Sequence, residues 1–491
     1  MTQLLLGLDI GTASSKAVLA RPDGTVVATA ERPHDVSMPR PGWVEHDAEG
    51  VWWNDVRALC AELLPAPGEL AGVCISGIGP CVVPCDEDLR PLRPAILYGV
   101  DTRATEEIEE LDRRYAAEAI FARGGSALSS QAIGPKLLWL QRHEPETWAR
   151  TAGWYMASSF VVARLTGEYV LDHHSASQCD PMYDLAAADW AHDWAQEIAP
   201  GVPLPRLAWP GEVVGEVTAA GALESGLPEG VPVLAGTVDA WAEGFSVGVR
   251  RPGDLMLMYG STMFMVRVLD APQTHPKLWA TAGVEPGTRC LAAGMATSGA
   301  LTAWLRDLTG GAPFETLVDE AAAAPAGGNG LLVLPYFAGE RSPVFDPDAR
   351  GVVAGLTLSH TRGHVARAIY ESTAYGVRHN LEAIEEAGGP PSRTVAVGGG
   401  TKGGLWTQIV SDVTGLHQIV PEQTIGAAYG DALLAAIGTG LVAPDTDWTV
   451  ARETVGPAGD TAALYDELYG LYRRLYPDTA DVAHALAALQ R

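Results

Sequence analysis

The chain has 491 residues, of which 47% are hydrophobic and 19% are charged. This length exceeds what one ordinary hydrophobic core organises, so it predicts two or three domains. The formal net charge is -27, and such a field repels nucleic-acid backbones and anionic membrane surfaces. No apolar run approaches the roughly 20 residues of a membrane helix, and Asp9 ends the first apolar run too early for a signal peptide. We therefore expect a cytoplasmic protein that binds neither nucleic acid nor membranes.

The chain opens with a predicted β-hairpin, LLLGLDIGTASSKAVLA, in which a turn of small residues separates two apolar runs. A helix is predicted at about 48–64, strands near 70–76 and 94–98, and a helix from about Arg103 to Arg123. The hairpin pattern returns at 254–268, as DLMLMYGSTMFMVRV. This echo half a chain later predicts two related domains.

The segment after the second hairpin alternates between helices and strands. A helix is expected in SGALTAWLRDL, a strand in LLVLPYF, a helix near 364–387, a strand in TVAVGGG and a helix in LWTQIVSDVTG. Strands that alternate with helices predict an α/β fold. The domain boundary is expected near 245–254, where FSVGVRRPGD interrupts the pattern.

Cysteine and histidine patterns give no metal or redox motif. The six cysteines form no CxxC pair, so we expect reduced and mostly buried thiols. His173 and His174 lie in a segment predicted to be a loop, without a third ligand at metal-binding spacing, and are expected at the surface.

Two turns of small residues have the chemistry of phosphate binding, although no P-loop or Rossmann motif occurs. In the first, small residues such as Gly11 let backbone N–H groups approach an anion, the Thr12 and Ser14 hydroxyls add donors, and Asp9 can hold a divalent cation. Gly260-Ser261-Thr262 repeats this chemistry. Either segment alone is explained by a tight hairpin turn. Two such turns in matching positions favour a site that binds a polyphosphate from both sides of a cleft.

Two further segments have candidate functional residues. Gly398-Gly399-Gly400 follows a predicted strand, and backbone without side chains lets a flat ring lie close to it. Asp239 follows the strand of LAGTVDAWA, where a carboxylate can accept a proton from a substrate hydroxyl. The alternative for Asp239, an aspartate that caps the following helix, is equally open at this point.

Together these residues resemble the FGGY carbohydrate kinases of the actin-like ATPase superfamily. The resemblance extends over nearly the whole chain, through GLDIGTASSKAVL, LAGTVDAWAEG, MLMYGSTMF, LPYFAGERSPVFDPDARG and VGGGTKGGLW. Gly351 to Leu356, with His364 to Glu371 after it, fits the family's second signature throughout. Around Lys136 the first signature is only partly met, because Gln131 and Ile133 occupy positions that it restricts to other residue types.

The resemblance implies two ribonuclease-H-like domains around a cleft. Residues 1–245 would bind the sugar and contain the first phosphate loop, and residues 246–491 would bind ATP. It also implies that the chain is an ATP-dependent kinase of a sugar or polyol, with Mg²⁺, and that it forms a homodimer.

The roles that the resemblance implies for single residues fall into three groups. Asp239 would be the catalytic base and would also contact the substrate, and Asp9 would help to hold Mg²⁺. ATP would be bound by Gly11, Thr12, Ser14, Lys16, Gly260, Ser261, Thr262, Gly398, Gly399, Gly400 and Lys402.

The substrate region, SGIGPCVVPCDEDLRPLRPAILYGVDTRA, departs from well-known members of the family. Ile78-Gly79-Pro80 stands where xylulokinases usually have Gln-Met-His and where glycerol kinases place Arg-Glu. Gly79, Pro80, Asp101 and Arg103 are expected at the substrate, although an N-capped helix also explains Asp101 and Arg103. The branch of the family is xylulokinase-like, with ribulose, a tetrulose or another polyol as alternatives, and we expect D-xylulose to have a high KM.

Two other functional classes stay as alternatives. A non-catalytic actin-fold sensor of nucleotides would keep both phosphate turns but would not need the acid at position 239. A sugar-responsive regulator would need a DNA-binding module, and the sequence contains no basic helix-turn-helix segment.

Overall fold

Two large β-sheets, one from each half of the chain, organise the molecule. The structure is a computed structural model and describes residues 3–64 and 70–490. The strands of the first half are β1 Leu4–Ile10, β2 Ser14–Ala20, β3 Val26–Pro33, β4 Glu45–His46, β5 Leu70–Gly77, β6 Val83–Cys85, β7 Ala95–Ile96, β8 Gly153–Tyr155, β9 Val170–Asp172, β10 Tyr183–Asp184, β11 Asp189–Trp190, β12 Arg206–Ala208, β13 Val213–Glu216 and β14 Pro232–Val238.

The helices of the first half connect and cover these strands. They are α1 Asn54–Leu63, α2 Thr105–Tyr115, α3 Ala117–Gly124, α4 Ile133–His143, α5 Pro145–Arg150, α6 Ala157–Thr166, α7 His173–Ala176, α8 His192–Ile198, α9 Ala219–Ser225 and α10 Asp239–Ser246. A π-helical segment, Ala48–Trp53, leads directly into α1, so the helix predicted at about 48–64 is confirmed.

The second half repeats this organisation. Its strands are β15 Asp254–Tyr259, β16 Met263–Leu269, β17 Trp279–Ala282, β18 Arg289–Met295, β19 Leu332–Leu334, β20 Val352–Ala354, β21 Arg393–Val397, β22 Gln418–Pro421 and β23 Ala451–Val455. Its helices are α11 Gly299–Leu308, α12 Phe314–Ala323, α13 Arg362–Gly388, α14 Leu405–Thr414, α15 Ala427–Gly438 and α16 Ala462–Ala488.

The two sheets share a six-strand arrangement, and the second sheet has one additional edge strand, β17. The first has the order β13-β14-β5-β1-β2-β3, and the second has the order β17-β18-β16-β15-β21-β22-β23. In each sheet a hairpin, β1–β2 or β15–β16, is followed in space by two strands parallel to its first strand and by one antiparallel edge strand. Both predicted hairpins, the α/β class and the internal repeat are confirmed.

Burial along the first hairpin follows from position in the sheet. Leu5, Leu6 and Leu8 of β1 are all fully buried, because β1 has a neighbouring strand on both edges and is covered on both faces. The edge strand β3 alternates between more and less exposed residues, as expected where one face meets solvent.

Helix α15 comes from the second half but packs against the first sheet. A Cβ atom on Gly7 of β1 would lie 1.8 Å from the Ala428 carbonyl oxygen, and one on Gly430 would lie 2.0 Å from the Ala242 carbonyl oxygen in α10. Glycine at both positions therefore permits close contact between α15, β1 and α10. The sheets follow the expected division at 245/246, whereas α15 crosses it, and the division into two domains stays a prediction.

Two sequence predictions about elements need correction. The helix expected from Arg103 to Arg123 is interrupted at Ala116, whose φ of 64° is incompatible with a continuous right-handed helix. In LLVLPYF only Leu332–Leu334 forms a strand, and it pairs with β20 outside the large sheets. Within the described ranges, no helix combines the length and the apolar character that crossing a bilayer requires.

Candidate active site

A cavity of about 250 Å³ lies between the two halves of the chain. Its wall includes Thr12 from the first hairpin turn, Thr262 from the second, and Asp239 at the start of α10. Other polar residues in the wall are Tyr98, Ser126, Ser129, Gln131, Ser177, Gln178, Asp180, Thr281 and Arg341. The structure therefore brings both predicted phosphate turns and the predicted base to one cavity.

The first turn is closed by its own backbone. The Gly11 N–H donates to the Ser14 carbonyl oxygen at 3.1 Å, and a Cβ atom on Gly11 would lie only 2.6 Å from that oxygen. The hydroxyls of Thr12 and Tyr98 lie 3.2 Å apart, which connects the turn to the cavity wall. Lys16 is exposed on β2, with Nζ 3.9 Å from a carboxylate oxygen of Glu31.

Asp9, on β1, is a buried carboxylate beside this turn. Its Oδ1 accepts a hydrogen bond from the Ser76 hydroxyl at 3.3 Å. Burial and the nearby negative charge of Asp239 raise the pKa of Asp9 to about 8, while Lys16 opposes this shift. A divalent cation would relieve the repulsion between the two carboxylates, so the site suits a hard cation such as Mg²⁺.

A cation at this site would have one proposed protein ligand, the carboxylate of Asp9, and not a complete set of protein ligands. No cluster of three or more His, Cys, Asp or Glu side chains with metal-binding geometry occurs among residues 3–64 and 70–490. Mg²⁺ is typically held by one or two carboxylates together with phosphate oxygens and water, and Asp9 next to a phosphate turn fits that preference.

Asp239 is the first residue of α10. The cap position of the helix is Val238, and the Asp239 Oδ1 accepts only the N–H of its neighbour Ala240, at 2.7 Å. Burial raises the pKa of Asp239 to about 6. Asp239 is thus not the N-cap, and its carboxyl group in the cavity wall has the proton affinity of a base that works near neutral pH.

The second turn is supported by the start of α11. The Gly260 N–H donates to the Thr262 carbonyl oxygen at 3.1 Å, and the Gly260 carbonyl accepts the Ser298 hydroxyl at 2.9 Å and the Gly299 N–H at 3.0 Å. The side chains of Ser261 and Thr262 are exposed, so their hydroxyls are accessible to a ligand.

The glycine segment Gly398-Gly399-Gly400 lies against the end of β15. Gly398 has a φ of 91°, and a Cβ atom there would lie 2.6 Å from the Tyr259 carbonyl oxygen. The segment therefore lies next to the second turn, outside the wall of the cavity, and its conformation requires glycine. Lys402 follows it on the surface.

Of the residues predicted to contact the sugar, some lie at the cavity and others do not. Gly79 lies in the cavity wall, and the peptide bond between it and the buried Pro80 is cis. Asp101 and Arg103 form a fully buried ion pair of 2.7 Å, and Glu45 lies 2.9 Å from the same guanidinium. The structure does not place this pair in the cavity wall, and its contact with substrate stays a prediction.

The prediction that His173 and His174 lie at the surface is wrong. Both are buried in α7, and the His174 ring lies 3.9 Å from the Trp241 ring. His174 Nδ1 donates to the Ala282 carbonyl oxygen at 2.8 Å, and its Nε2 lies 2.6 Å from the Gln178 amide nitrogen. Burial lowers the pKa of His174 to about 4, so a neutral imidazole holds Gln178 in the cavity wall.

Sequence reasoning missed several polar residues that line the cavity. Asp180 Oδ1 is buried without a hydrogen-bond partner within the described part of the chain, and burial raises the pKa of Asp180 to about 8. Gln131 was considered only as a departure from a signature, and Gln178 had no role. The only local signal was the polar run Ser175-Ala-Ser-Gln-Cys-Asp180.

Strand β17 closes the cavity from the second half. The Ser126 hydroxyl accepts the Ala280 N–H at 3.0 Å, and the Ser177 hydroxyl accepts the Ala282 N–H at 3.0 Å. These hydrogen bonds join the two halves directly and fix the position of the cavity wall between them.

Comparisons with known proteins agree with this geometry. Models of the FGGY family of carbohydrate kinases match residues 4–245 with the N-terminal domain and residues 255–439 with the C-terminal domain. The solved structure of xylulose kinase from Rhodospirillum rubrum has a TM-score of 0.91 and 35% identity, covering 98% of this chain and 100% of that chain. Xylulose kinase of Bacillus subtilis (strain 168) is 27% identical, over 99% of both chains. Glycerol kinase of Nocardia farcinica (strain IFM 10152) is 30% identical, over 91% of this chain and 94% of the relative.

Proposed function

We propose that this chain, which belongs to the FGGY family of carbohydrate kinases, transfers the γ-phosphoryl group of ATP to a hydroxyl of a small ketose or polyol. Xylulokinase-like phosphorylation of a pentulose is the leading assignment, because relatives named xylulose kinase match the chain over nearly its full length. One observation carries the proposal: Thr12, Thr262 and Asp239 line a single cavity.

The protein's part in the reaction is alignment, charge compensation and one proton transfer. Phosphoryl transfer needs little covalent chemistry from an enzyme. Asp239 accepts the proton of the attacking hydroxyl, and its pKa of about 6 leaves it mostly ionised at neutral pH. The raised pKa also gives it more affinity for that proton than an ordinary aspartate has.

ATP and Mg²⁺ have distinct binding residues in this proposal. Backbone N–H groups and hydroxyls of the two hairpin turns would hold the phosphates, Lys16 would add a positive charge, and Asp9 would hold Mg²⁺, whose charge would offset that of the phosphates. Gly398-Gly399-Gly400, with Lys402 nearby, accommodates the adenosine.

The choice of sugar depends on polar groups from outside the 78–80 segment. Ile78 and Gly79 contribute no polar side chain to the cavity, but Gln131, Gln178 and Asp180 do. A high KM for D-xylulose was predicted because positions 78–80 lack hydrogen-bonding side chains. These three residues can replace them, so ribulose, a tetrulose or another polyol are the acceptors to compare with D-xylulose.

A cytoplasmic location and a homodimer are further parts of the proposal. All six cysteines are free and buried, which is typical of a reducing compartment. The homodimer rests on the family resemblance alone.

The experiment is an ADP-release assay over ketoses, aldoses and polyols, with Asp239→Asn beside the parent. The amide keeps the shape of the carboxylate but accepts no proton, so we expect about 10²–10⁴-fold lower kcat with nearly unchanged binding of ATP and sugar. Glu243→Gln is the matched control. Glu243 lies one turn further along α10, where burial raises its pKa to about 7, but outside the cavity wall.

Two results would contradict the proposal. ADP release from no acceptor in the panel, with ATP still bound, would favour the non-catalytic sensor. Activity of Asp239→Asn within a few fold of the parent would remove Asp239 as the base.

A further inference from the structure

Arg341 lies in the cavity wall on the side of the second half. Its Nη2 donates to the Met295 carbonyl oxygen at 2.6 Å. The next residue, Ser342, accepts the Gly294 N–H through its hydroxyl at 2.6 Å. A Cβ atom on Gly294 would lie 3.4 Å from the guanidinium carbon, so the arginine lies close to the backbone of β18. The hydrogen bonds of Arg341 to Met295 and of Ser342 to Gly294 fix its position.

The negative charge of the adjacent Glu340 acts on Arg341 without forming an ion pair with it. Within residues 3–64 and 70–490 its guanidinium forms no ion pair, and its Nε is buried without a hydrogen-bond partner. The adjacent carboxylate, Glu340, instead accepts the backbone N–H groups of Ala296 and Arg341, both at 2.7 Å. Burial lowers the pKa of Arg341, which shows the unfavourable environment of the positive charge.

Other arginines among the described residues also have a buried nitrogen without a hydrogen-bond partner, such as Arg103 Nη1 and Arg267 Nε, but they lie outside the cavity wall. Arg103 is paired with Asp101 at 2.7 Å. Arg289 has no carboxylate within ion-pair distance, but it donates to the carbonyl oxygens of Leu185 and Thr288, each at 3.0 Å. Arg341 differs because it keeps an unused, buried donor in the wall of a cavity.

Arg341 is half-buried, and a cation partly removed from water without an ion pair is costly in a chain that has 60 acidic residues available for pairing. Arg341 is also the only Lys or Arg among the described residues that line the cavity. A planar guanidinium with free N–H groups matches two oxygens of a carboxylate or a phosphoryl group. The cavity therefore has a built position for an oxyanion.

We propose that Arg341 is the anion-binding residue of this cavity and holds an oxyanion of the reacting complex. The oxyanion has two sources with the same chemistry: a carboxylate on the acceptor, as in a sugar acid, or the phosphoryl group in transfer. This inference rests on the proposed kinase function, and it adds a contact that neither hairpin turn nor Asp239 provides.

The kinetic test compares a five-carbon aldonate with the alditol of the same configuration, in the parent, Arg341→Met and Arg341→Lys. If the oxyanion is the acceptor's carboxylate, Arg341→Met raises the KM for the aldonate by about 10- to 100-fold and leaves that for the alditol unchanged. If it is the phosphoryl group, Arg341→Met lowers kcat by a similar factor for every acceptor and leaves acceptor KM values unchanged. Arg341→Lys keeps the positive charge but loses the paired N–H donors of the guanidinium, so its change in KM or kcat should be smaller than that of Arg341→Met.

The control is Arg306→Met, which removes a half-buried arginine of α11 that pairs with Asp307 and lies outside the cavity wall. Circular dichroism melts establish that each variant is folded. Kinetic constants of Arg341→Met within twofold of the parent for both acceptors would overturn the inference.

A binding experiment covers the case in which Arg341→Met does not fold. Melting of the parent and of Arg341→Lys is followed with the aldonate, with the alditol and with inorganic phosphate, against sodium chloride at equal ionic strength. Stabilisation of the parent by an anion, weakened in Arg341→Lys, supports the site, and no stabilisation by either anion overturns it. If no acceptor is phosphorylated at all, the kinase proposal fails, but this melting comparison still decides the role of Arg341.

Discussion

The hairpins β1–β2 and β15–β16 have the same architecture and different chemistry. In each, a three-residue turn is closed by a glycine N–H that donates at 3.1 Å, from Gly11 or from Gly260. The first hairpin has Asp9 two residues before its glycine and Lys16 five residues after it. At the same positions the second hairpin has two methionines, Met258 and Met265. The repeated fold thus supplies two similar turns that can bind anions. Only the first hairpin has charged residues at these two positions, the carboxylate of Asp9 and the ammonium group of Lys16.

The largest difference between the hairpins should come from removing the charge of the first. We expect Asp9→Asn to lower kcat by about 10²–10³-fold, the usual loss when one preorganised electrostatic group is removed. Mg²⁺ titrations of kcat/KM give the measurement, with Thr262→Val, an uncharged change in the second hairpin, for comparison. If both variants lose activity equally, charge does not distinguish the two turns.

The second prediction concerns the charge of Asp239, which faces the first hairpin's Asp9. Burial raises the pKa of Asp239 to about 6, and only its ionised form accepts a proton. Activity is therefore present above this pH and is lost as the pH falls through it, by about tenfold for each further pH unit. The kcat profile between pH 4.5 and 8 tests this, and the residual activity of Asp239→Asn should not show the same acidic limb.

Adding a Cβ atom to each turn glycine should affect the first turn more. At Gly11 the new atom would lie 2.6 Å from the Ser14 carbonyl oxygen, whereas at Gly260 it would lie 3.2 Å from that of Thr262. Overpacking typically costs 1–3 kcal/mol, so we expect Gly11→Ala to raise the KM for ATP by about tenfold or more. Gly260→Ala should change it by less, and the reverse order would contradict the turn geometry.

The smallest effect is expected from one hydroxyl of the second turn. Ser261→Ala removes a single exposed donor, so the KM for ATP should rise by about 2- to 12-fold, the equivalent of one ordinary hydrogen bond. Isothermal titration with a non-hydrolysable ATP analogue measures this change. An unchanged affinity would mean that only the backbone of this turn binds phosphate.

Local patterns in the sequence were sufficient for the elements that position the site. Apolar runs on either side of a small-residue turn predicted both hairpins, and the repetition of this pattern indicated two related domains, because each signal lies within about 17 consecutive residues. Asp239 was singled out because it follows a buried strand. Its two interpretations separated only when the structure placed Val238 at the cap and Asp239 in the cavity wall.

Tertiary structure decided which polar groups line the cavity. His174, expected at the surface, is buried because α7 packs on Trp241 and hydrogen-bonds to β17, more than 100 residues away. Arg341 became a candidate because, among the described residues, its Nε has no hydrogen-bond partner and its guanidinium forms no ion pair, and no local sequence pattern reveals a missing interaction. The sequence by itself indicated the α/β fold with two similar sheets, both turns and Asp239 as the proposed base, since these signals lie among neighbours in the chain. Which polar groups meet in the cavity depends on contacts between distant segments, and only the packed structure contains them.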